Sequence, residues 1–226
     1  MTDSQPGSSA DGTADPAAGS SPDSITVYSD YVCPFCYLGR ASLALYRETR
    51  TEPLVVDWHP FDLRAGKRDP DGEIDRDVDD GKDDDYYEQA RENVERLRER
   101  YDVEMAQAIR RDVDSLPAQI VSLHVKRTHP ESWDALDDAI FDALWVDGRD
   151  IGNREVLVDV ADDVSGVPDD VVDVALDDEE LREAIGELFD AARRRGITGV
   201  PTFAYGDHAA RGAVPPEQLR RLIEGE

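Results

Sequence analysis

The sequence predicts an α/β fold into which a large all-helical segment is inserted. Three patterns indicate this class: strand–helix–strand over residues 25–60, consecutive helical patterns over residues 65–176, and helix–strand–strand–helix to the end of the chain. Without the helical segment, the two flanking parts form one compact unit, with helices on both faces of a small mixed sheet.

The first part of this unit begins with a short buried strand. Residues 25–28 read ITVY, a β-branched and aromatic run that is typical of strands. Pro34 then opens a helix, a position where proline is favoured because the missing N–H would have no helical partner. The alternation of Leu54, Val56 and Trp58 with more polar neighbours predicts the second strand.

The central segment is predicted to be wholly helical. One helix carries apolar residues that are three or four positions apart: Tyr87, Ala90, Val94, Leu97 and Tyr101. Further helices are predicted around residues 117–128, 133–144, 151–163 and 167–176. No strand is expected between residues 65 and 176.

The last part returns to the α/β unit. The helix predicted over residues 177–196 begins with acids and ends with arginines and a glycine, which suits the helix dipole and the helix end. Residues 200–205 (VPTFAY) predict a strand, and Gly-Asp at 206–207 is typical of a two-residue hairpin turn. A partner strand is expected around residues 208–213, followed by a closing helix.

These patterns divide the chain into three predicted parts. The tail of residues 1–24 is rich in Ser, Gly, Pro, Ala and Asp, and we expect it to be disordered. The α/β unit is discontinuous, over residues 25–64 and 177–226, and the helical insertion is residues 65–176. Because the tail lacks the positive and apolar regions of a secretory signal, we expect a cytoplasmic protein.

The charge of the chain is strongly negative. Acidic residues outnumber basic ones by 52 to 25, for a formal charge of −27, and lysine occurs only at Lys67, Lys82 and Lys126. Such a charge repels phosphate backbones and anionic membranes, so neither nucleic acid nor a membrane is an expected partner. The dispersed acids favour a halophilic protein, because molar salt shortens the screening length to about 3 Å. An ordinary acidic protein is the alternative.

The chain has two cysteines, Cys33 and Cys36, in the sequence Cys-Pro-Phe-Cys. This spacing at a strand-to-helix junction of an intracellular chain indicates a redox pair. Residues three apart in a first helical turn lie on one side of the helix, close enough to form a disulfide. The helix N-terminus favours the thiolate of Cys33, whereas Cys36 is expected to be deeper and to act as the resolving thiol. The nearby negative charge of Asp30 opposes ionisation.

Two other interpretations of the cysteines remain open. A zinc site needs four ligands, and the histidines lack the spacing of a zinc finger: His59, His124, His129 and His208. The pair could also be buried and inert, since unreactive cysteines are commonly core residues. We expect no metal and no bound cofactor.

Two stretches together resemble the DsbA family of thioredoxin-like proteins. VCPFCYLG at 32–39, followed much later by GVPTF at 199–203, is similar to the FrnE-like cytosolic branch, in which a helical domain is inserted into a thioredoxin fold. VDWHPFDLR at 56–64 resembles the second strand of that branch and the turn after it. The resemblance runs from Ile25 to the C-terminus and implies a thioredoxin-like fold with a large all-helical insertion.

The resemblance implies a thiol–disulfide oxidoreductase that acts on protein or small-molecule thiols and disulfides. The matched positions are the nucleophile Cys33, the resolving Cys36, the variable dipeptide Pro34 and Phe35, the substrate-facing Val200, and the cis-proline Pro201. An apolar docking area is expected around Phe35, Val200 and Pro201, with Trp58 either in it or in the core. DSLPAQ at 114–119 resembles a helix start at which relatives tend to carry Asn-Ser or Asn-Thr. Asp114 replaces the asparagine and is expected to cap the helix, and a role in binding a small thiol is the alternative.

Two other functions are alternatives to the oxidoreductase. Glutathione-dependent isomerases and transferases of the kappa type, resembling 2-hydroxychromene-2-carboxylate isomerase, share the architecture. They replace the nucleophilic cysteine, typically with serine, whereas both Cys33 and Cys36 are present here. A non-catalytic, chaperone-like module that binds partners through its helical insertion is the second rival. Formation of a homodimer is left open.

Overall fold

The strands form one small mixed sheet in the computed structural model, which describes residues 23–69, 72–75, 77–79 and 81–225. The strands are β1 (Asp23–Ser29), β2 (Leu54–Pro60), β3 (Thr202–Tyr205) and β4 (His208–Arg211), in the spatial order β2-β1-β3-β4. β1 is parallel to β2 and antiparallel to β3, which is antiparallel to β4. The predicted tail lies outside the described residues except for positions 23 and 24, which begin β1.

Eight helices are described, and their order confirms the predicted fold class. They are α1 (Pro34–Glu48), α2 (Asp84–Tyr101), α3 (Leu116–Thr128), α4 (Pro130–Trp145), α5 (Arg154–Asp162), α6 (Val171–Leu176), α7 (Glu179–Arg194) and α8 (Pro216–Glu224). A single 3₁₀ turn, Ala65–Lys67, follows β2. None of the helices described is long and apolar enough to cross a membrane.

Local sequence explains where many of these helices begin. The side chains of Asp83, Asn153 and Asp178 accept hydrogen bonds from backbone N–H groups in the first turns of α2, α5 and α7. Such capping partners satisfy donors that have no acceptor within the helix. Four other helices, α1, α3, α4 and α8, carry proline in the first turn, where its missing N–H leaves no bond unmade.

The sheet is covered on both faces. Ile25 of β1 packs in a cluster with residues of α1 and α8, whereas Tyr28 of the same strand packs with Ala192 of α7. A third and larger cluster joins the cysteine turn to α3, α4 and α7. The helices between β2 and α7 therefore share a core with the cysteines; the division of the chain into domains stays a prediction.

A close approach of α1 to β3 fixes where the cysteine end of α1 lies. A Cβ atom added to Gly39 would lie 3.0 Å from Cγ of Pro201 and 3.1 Å from Cζ of Phe203. On the same helix, the Ser42 hydroxyl donates to the carbonyl oxygen of Val214 at 2.6 Å. Glycine therefore allows α1 to pack directly against the segment that contains Pro201.

Candidate active site

Cys33 lies at the junction between β1 and α1. Its backbone N–H donates to the carbonyl oxygen of Asp30 at 3.0 Å, and its own carbonyl accepts from the N–H of Cys36 at 3.0 Å. The residue has extended dihedral angles and occupies the N-cap of α1. The positive end of the helix dipole favours negative charge at this position.

Cys36 occupies a different environment one turn further into α1. Its side chain is more buried than that of Cys33, with 2% exposure against 5%. Burial raises the pKa of the Cys36 thiol well above its usual value, and the hydrogen bond and charge of Cys33 raise it further. Both residues are free thiols in the structure. This asymmetry favours Cys33 as the sulfur that reacts first.

The GVPTF segment reaches the cysteines from the other end of the chain. The Cys33 thiol donates to the carbonyl oxygen of Val200, with Sγ and O 3.5 Å apart. The Val200–Pro201 peptide bond is cis, as the resemblance implied. Pro201 is buried, whereas Val200 is partly exposed, so Val200 is the backbone neighbour of Cys33 at the surface.

The other predicted site residues separate into two cavities. Pro34, Phe35 and Val200 line, together with Cys33, a cavity of about 550 Å³ that we name the Cys33 cavity. Trp58 instead lines a second cavity of about 350 Å³ between α1, α4 and the sheet, the α1–α4 cavity, where Cys36 is also part of the wall. The Trp58 ring is packed against Trp133, with centroids 5.9 Å apart, so it belongs to the core rather than beside Cys33.

Basic side chains around Cys33 were not predicted from the sequence. Five of them line the Cys33 cavity: Arg64, Lys67, Lys82, Arg110 and Arg111. Asp79 is the one carboxylate among the described residues of its wall. The one hint of this basic wall in the sequence is the scarcity of lysine: two of the three lysines lie in the cavity wall.

Asp30 connects the cysteine turn to the helical segment. Its carboxylate accepts from the N–H of Leu63 at 2.8 Å, from the Ser115 hydroxyl at 2.5 Å and from Nε2 of Gln119 at 3.3 Å. Burial, partly offset by these bonds, raises the pKa of Asp30 to about 6. The carboxylate that the sequence places near the thiols is therefore bonded to donors from α3 and its N-cap and from the chain after β2.

A buried ion network holds the chain that follows β2. Arg68 pairs with Asp62 at 2.8 Å and with Asp114 at 2.7 Å. Oδ1 of Asp114 also accepts from the N–H of Leu116 at 3.0 Å, but the N-cap of α3 is Ser115, so Asp114 bonds the first turn from the position before the cap and is not the cap expected from the sequence. Because Leu63, Arg64, Gly66 and Lys67 border the Cys33 cavity, this network fixes one wall of it. Across the described ranges, no group of three or more His, Cys, Asp or Glu is placed to hold a metal ion.

Comparison with known families agrees with this geometry. Residues 24–224 match the model of the DSBA-like thioredoxin domain. The chain belongs to this family. The match includes both cysteines and the cis-proline segment, and it confirms the family predicted from VCPFCYLG and GVPTF.

Solved structures similar to this DSBA-like chain include proteins of two activities. A probable DsbA oxidoreductase from Streptomyces coelicolor has a TM-score of 0.72 and 21% identity, over 90% of this chain and 91% of that chain. A 2-hydroxychromene-2-carboxylate isomerase has a TM-score of 0.68 and 19% identity, over 88% and 92%. The cytosolic disulfide reductase DsbM from Pseudomonas aeruginosa, solved with GSH, has a TM-score of 0.58 and 19% identity, over 88% and 92%. These likenesses show the fold; assignment to the FrnE-like branch, to the cytoplasm and to a halophile stays a prediction.

Proposed function

We propose that this DSBA-like chain is a thiol–disulfide oxidoreductase in which Cys33 is the nucleophile and Cys36 the resolving thiol. The observation that carries the proposal is the pairing of two unequal thiols. Cys33 occupies the N-cap position of α1 beside the carbonyl of Val200, whereas burial raises the pKa of Cys36 one turn deeper and favours its protonated form. In thiol–disulfide exchange by a dithiol, one thiolate attacks the substrate disulfide, and the second thiol then attacks the mixed disulfide that forms.

The proposed reaction transfers two electrons. The Cys33 thiolate attacks one sulfur of a substrate disulfide, so that a mixed disulfide forms and the other substrate sulfur leaves as a thiolate. That thiolate takes a proton. Cys36 then loses its proton to solvent and attacks Sγ of Cys33, which releases the second substrate thiol and leaves the Cys33–Cys36 disulfide. The reverse sequence oxidises a substrate dithiol.

The walls of the Cys33 cavity supply the proposed docking contacts. Val200 presents backbone next to the reacting sulfur, and Pro34 and Phe35 add partly exposed apolar surface on the opening turn of α1. An extended peptide bound to the backbone of Val200 would bring its own cysteine to Cys33. Pro201 is buried behind this contact, so its proposed role is to shape the segment rather than to touch substrate.

Single-turnover exchange tests the proposal. Reduced protein mixed with a neutral disulfide, such as hydroxyethyl disulfide, should form the Cys33–Cys36 disulfide in step with the release of substrate thiol. Cys36→Ser should accumulate a mixed disulfide at Cys33, because the second attack is removed, whereas Cys33→Ser should accumulate none. Absence of both the exchange and the trapped intermediate would exclude the oxidoreductase.

Likeness to the isomerase structure keeps a glutathione-dependent isomerase or transferase as the second candidate. That reaction needs no resolving thiol, so the two candidates differ in their response at Cys36. An isomerase would retain turnover in Cys36→Ser, whereas the oxidoreductase would lose it. A non-catalytic binding module would retain its interactions in both single-cysteine variants.

A further inference from the structure

The described lining of the Cys33 cavity is mainly basic, whereas the chain as a whole is strongly acidic. The chain carries 52 acids against 25 bases, yet five basic side chains and a single described carboxylate line this cavity. Lysine occurs only three times in the sequence, and two of those lysines, Lys67 and Lys82, are in its wall. A positively charged cleft in a negatively charged molecule raises the local concentration of anionic ligands.

Backbone and aromatic contacts hold several of these cations in place. Arg64 donates to the carbonyl oxygens of Arg110, at 3.0 Å, and of Arg111. The guanidinium of Arg111 lies over the Tyr87 ring, 4.2 Å from its centroid. Carbonyls and ring faces orient a guanidinium without cancelling its charge, so Arg64 and Arg111 keep a net positive potential in the wall.

Arg110 contributes less positive charge to the wall than Arg64 and Arg111 do. Arg110 pairs with Asp112 at 2.9 Å and donates to the carbonyl of Gly148 at 2.9 Å, so part of its charge is compensated. Nε of Arg64, in contrast, is a buried donor that has no hydrogen-bond partner in the described structure. A buried donor without an acceptor is costly, and no acceptor offsets the positive charge at this atom.

We propose that the preferred substrate of the Cys33 site is a carboxylate-rich polypeptide segment, in which Asp or Glu flanks the reacting cysteine. This inference rests on the proposed oxidoreductase function. The cations come from separate stretches, at residues 64–67, 82 and 110–111, which suits several carboxylates along a chain better than one. Nucleic acid does not fit this site, since the reacting partner must carry sulfur and the rest of the surface is acidic.

The chemistry is the exchange already described, with the cations acting on encounter and orientation. Cys33 attacks the disulfide of the acidic segment, Cys36 releases it as a dithiol, and the protein is left oxidised. Complementary charge raises association rates most at low salt and loses its effect as salt screens it. The preference should therefore be largest at low ionic strength.

Matched peptides test this substrate class. Each peptide carries one intrachain disulfide, and the residues beside its cysteines are all Glu, all Gln or all Lys. In single turnovers with reduced protein at 0.1 M salt, we expect the Glu peptide to react about 10-fold faster than the Gln peptide, and the Lys peptide to be slowest. The ratio should shrink towards one at 1 M salt, where the screening length is about 3 Å.

Variants of the three lysines assign the preference to the cavity. Lys67→Gln combined with Lys82→Gln should lower the Glu-to-Gln rate ratio several-fold. Lys126→Gln is the matched control, because Lys126 is the remaining lysine of the chain and is outside the Cys33 cavity. It should keep the ratio of the unmodified protein. The comparisons between peptides and between salt concentrations use the unmodified protein, so they do not depend on whether a variant folds.

Each outcome separates the substrate class from the function. Equal rates for Glu and Gln peptides, or a ratio that survives the double lysine substitution, would overturn the acidic-substrate assignment while leaving the oxidoreductase intact. Glutathione disulfide reacting faster than the Glu peptide would replace the polypeptide with a small acidic thiol and so overturn the proposal as stated. Failure of every peptide and of hydroxyethyl disulfide would instead remove the oxidoreductase itself.

Discussion

The Cys33 cavity and the α1–α4 cavity both border the first turns of α1, and their linings differ in charge. Five basic residues surround the opening next to Cys33. Four carboxylates line the cavity that reaches Cys36: Asp134, Asp137, Asp138 and Asp142, with Arg40 and Arg47. The linings therefore attract anions towards Cys33 and repel them from Cys36, which supports the different roles proposed for the two cysteines.

Two buried carboxylates near the cysteines differ in the charge of their partners. Asp30, in the cysteine turn, is held by neutral donors such as the Leu63 N–H and the Ser115 hydroxyl. Asp137, on α4, accepts from the Tyr31 hydroxyl at 2.7 Å and pairs with Arg40 at 3.0 Å. Burial raises the pKa of both groups, but Arg40 opposes the rise at Asp137. A buried carboxylate without a cation is the more sensitive of the two to pH.

The largest predicted effect tests which sulfur meets the substrate. Cys33→Ser should lower turnover of a neutral disulfide by at least about 1000-fold, to the background of exchange in solution, because the attacking thiolate is lost. Cys36→Ser should instead give one rapid attack followed by an accumulated mixed disulfide, seen by mass spectrometry. A mixed disulfide formed at Cys36 in the Cys33→Ser protein would show that substrate also reaches Cys36, so that the two cavities do not separate the roles of the cysteines.

The second prediction compares Asp30→Asn with Asp137→Asn across pH. The pKa of Asp30 in the folded state, about 6, lies above its usual 3.8, so its contribution to stability is present below pH 4 and is lost as pH rises through 6. Relative to Asp30→Asn, the unmodified protein should lose up to about 3 kcal/mol of unfolding free energy between pH 4 and 7.

The control for this pH effect is the other carboxylate. Asp137→Asn should show a change of the same sign but smaller, since Arg40 favours the charged form. Chemical denaturation at each pH in one fixed high-salt buffer measures both. Equal pH dependence of the two variants would show that the cation at Asp137 makes no difference.

The third prediction concerns the contact between α1 and the cis-proline. Gly39→Ala should destabilise the protein by about 1–3 kcal/mol, because its Cβ meets Pro201 and Phe203 at little more than 3 Å. It should also slow exchange at Cys33 by displacing Val200. Gly186→Ala on α7 is the control, since an added Cβ would meet nothing within 4 Å apart from its chain neighbours and the backbone of its own helix. That variant should gain about 0.5–1 kcal/mol from helix propensity. A tolerated Gly39→Ala would mean that the close packing does not position the segment.

The smallest predicted effect is a difference in modification rate between charged reagents. In the Cys36→Ser protein at 0.1 M salt, an anionic methanethiosulfonate should modify Cys33 about 10-fold faster than a cationic one of similar size, because the cavity wall is basic. At 1 M salt the two rates should converge, as the screening length falls to about 3 Å. Faster modification by the cationic reagent would mean that the overall charge outweighs the local lining.

The sequence by itself determined the order of elements and the family, and it located the two cysteines at the start of α1. These features are encoded locally: ITVY is read as a strand within four residues, and Cys-Pro-Phe-Cys with the helix after it specifies a helix N-terminus. Strand and helix patterns need only the next few residues, and the structure places β1, α1 and β3 where they were predicted. GVPTF was recognisable for the same reason, although its distance from the cysteines in the chain is large.

Only the tertiary structure decided what surrounds the two sulfurs. Arg64 and Arg111 are 47 positions apart, and no local pattern connects either of them with Cys33. Ser115 meets Asp30 across 85 positions. The packing of Trp58 on Trp133 places Trp58 in the core, a choice between core and docking surface that the sequence alone leaves open. Electrostatic fields and burial depend on distances in space, which a chain sets only when distant segments pack together.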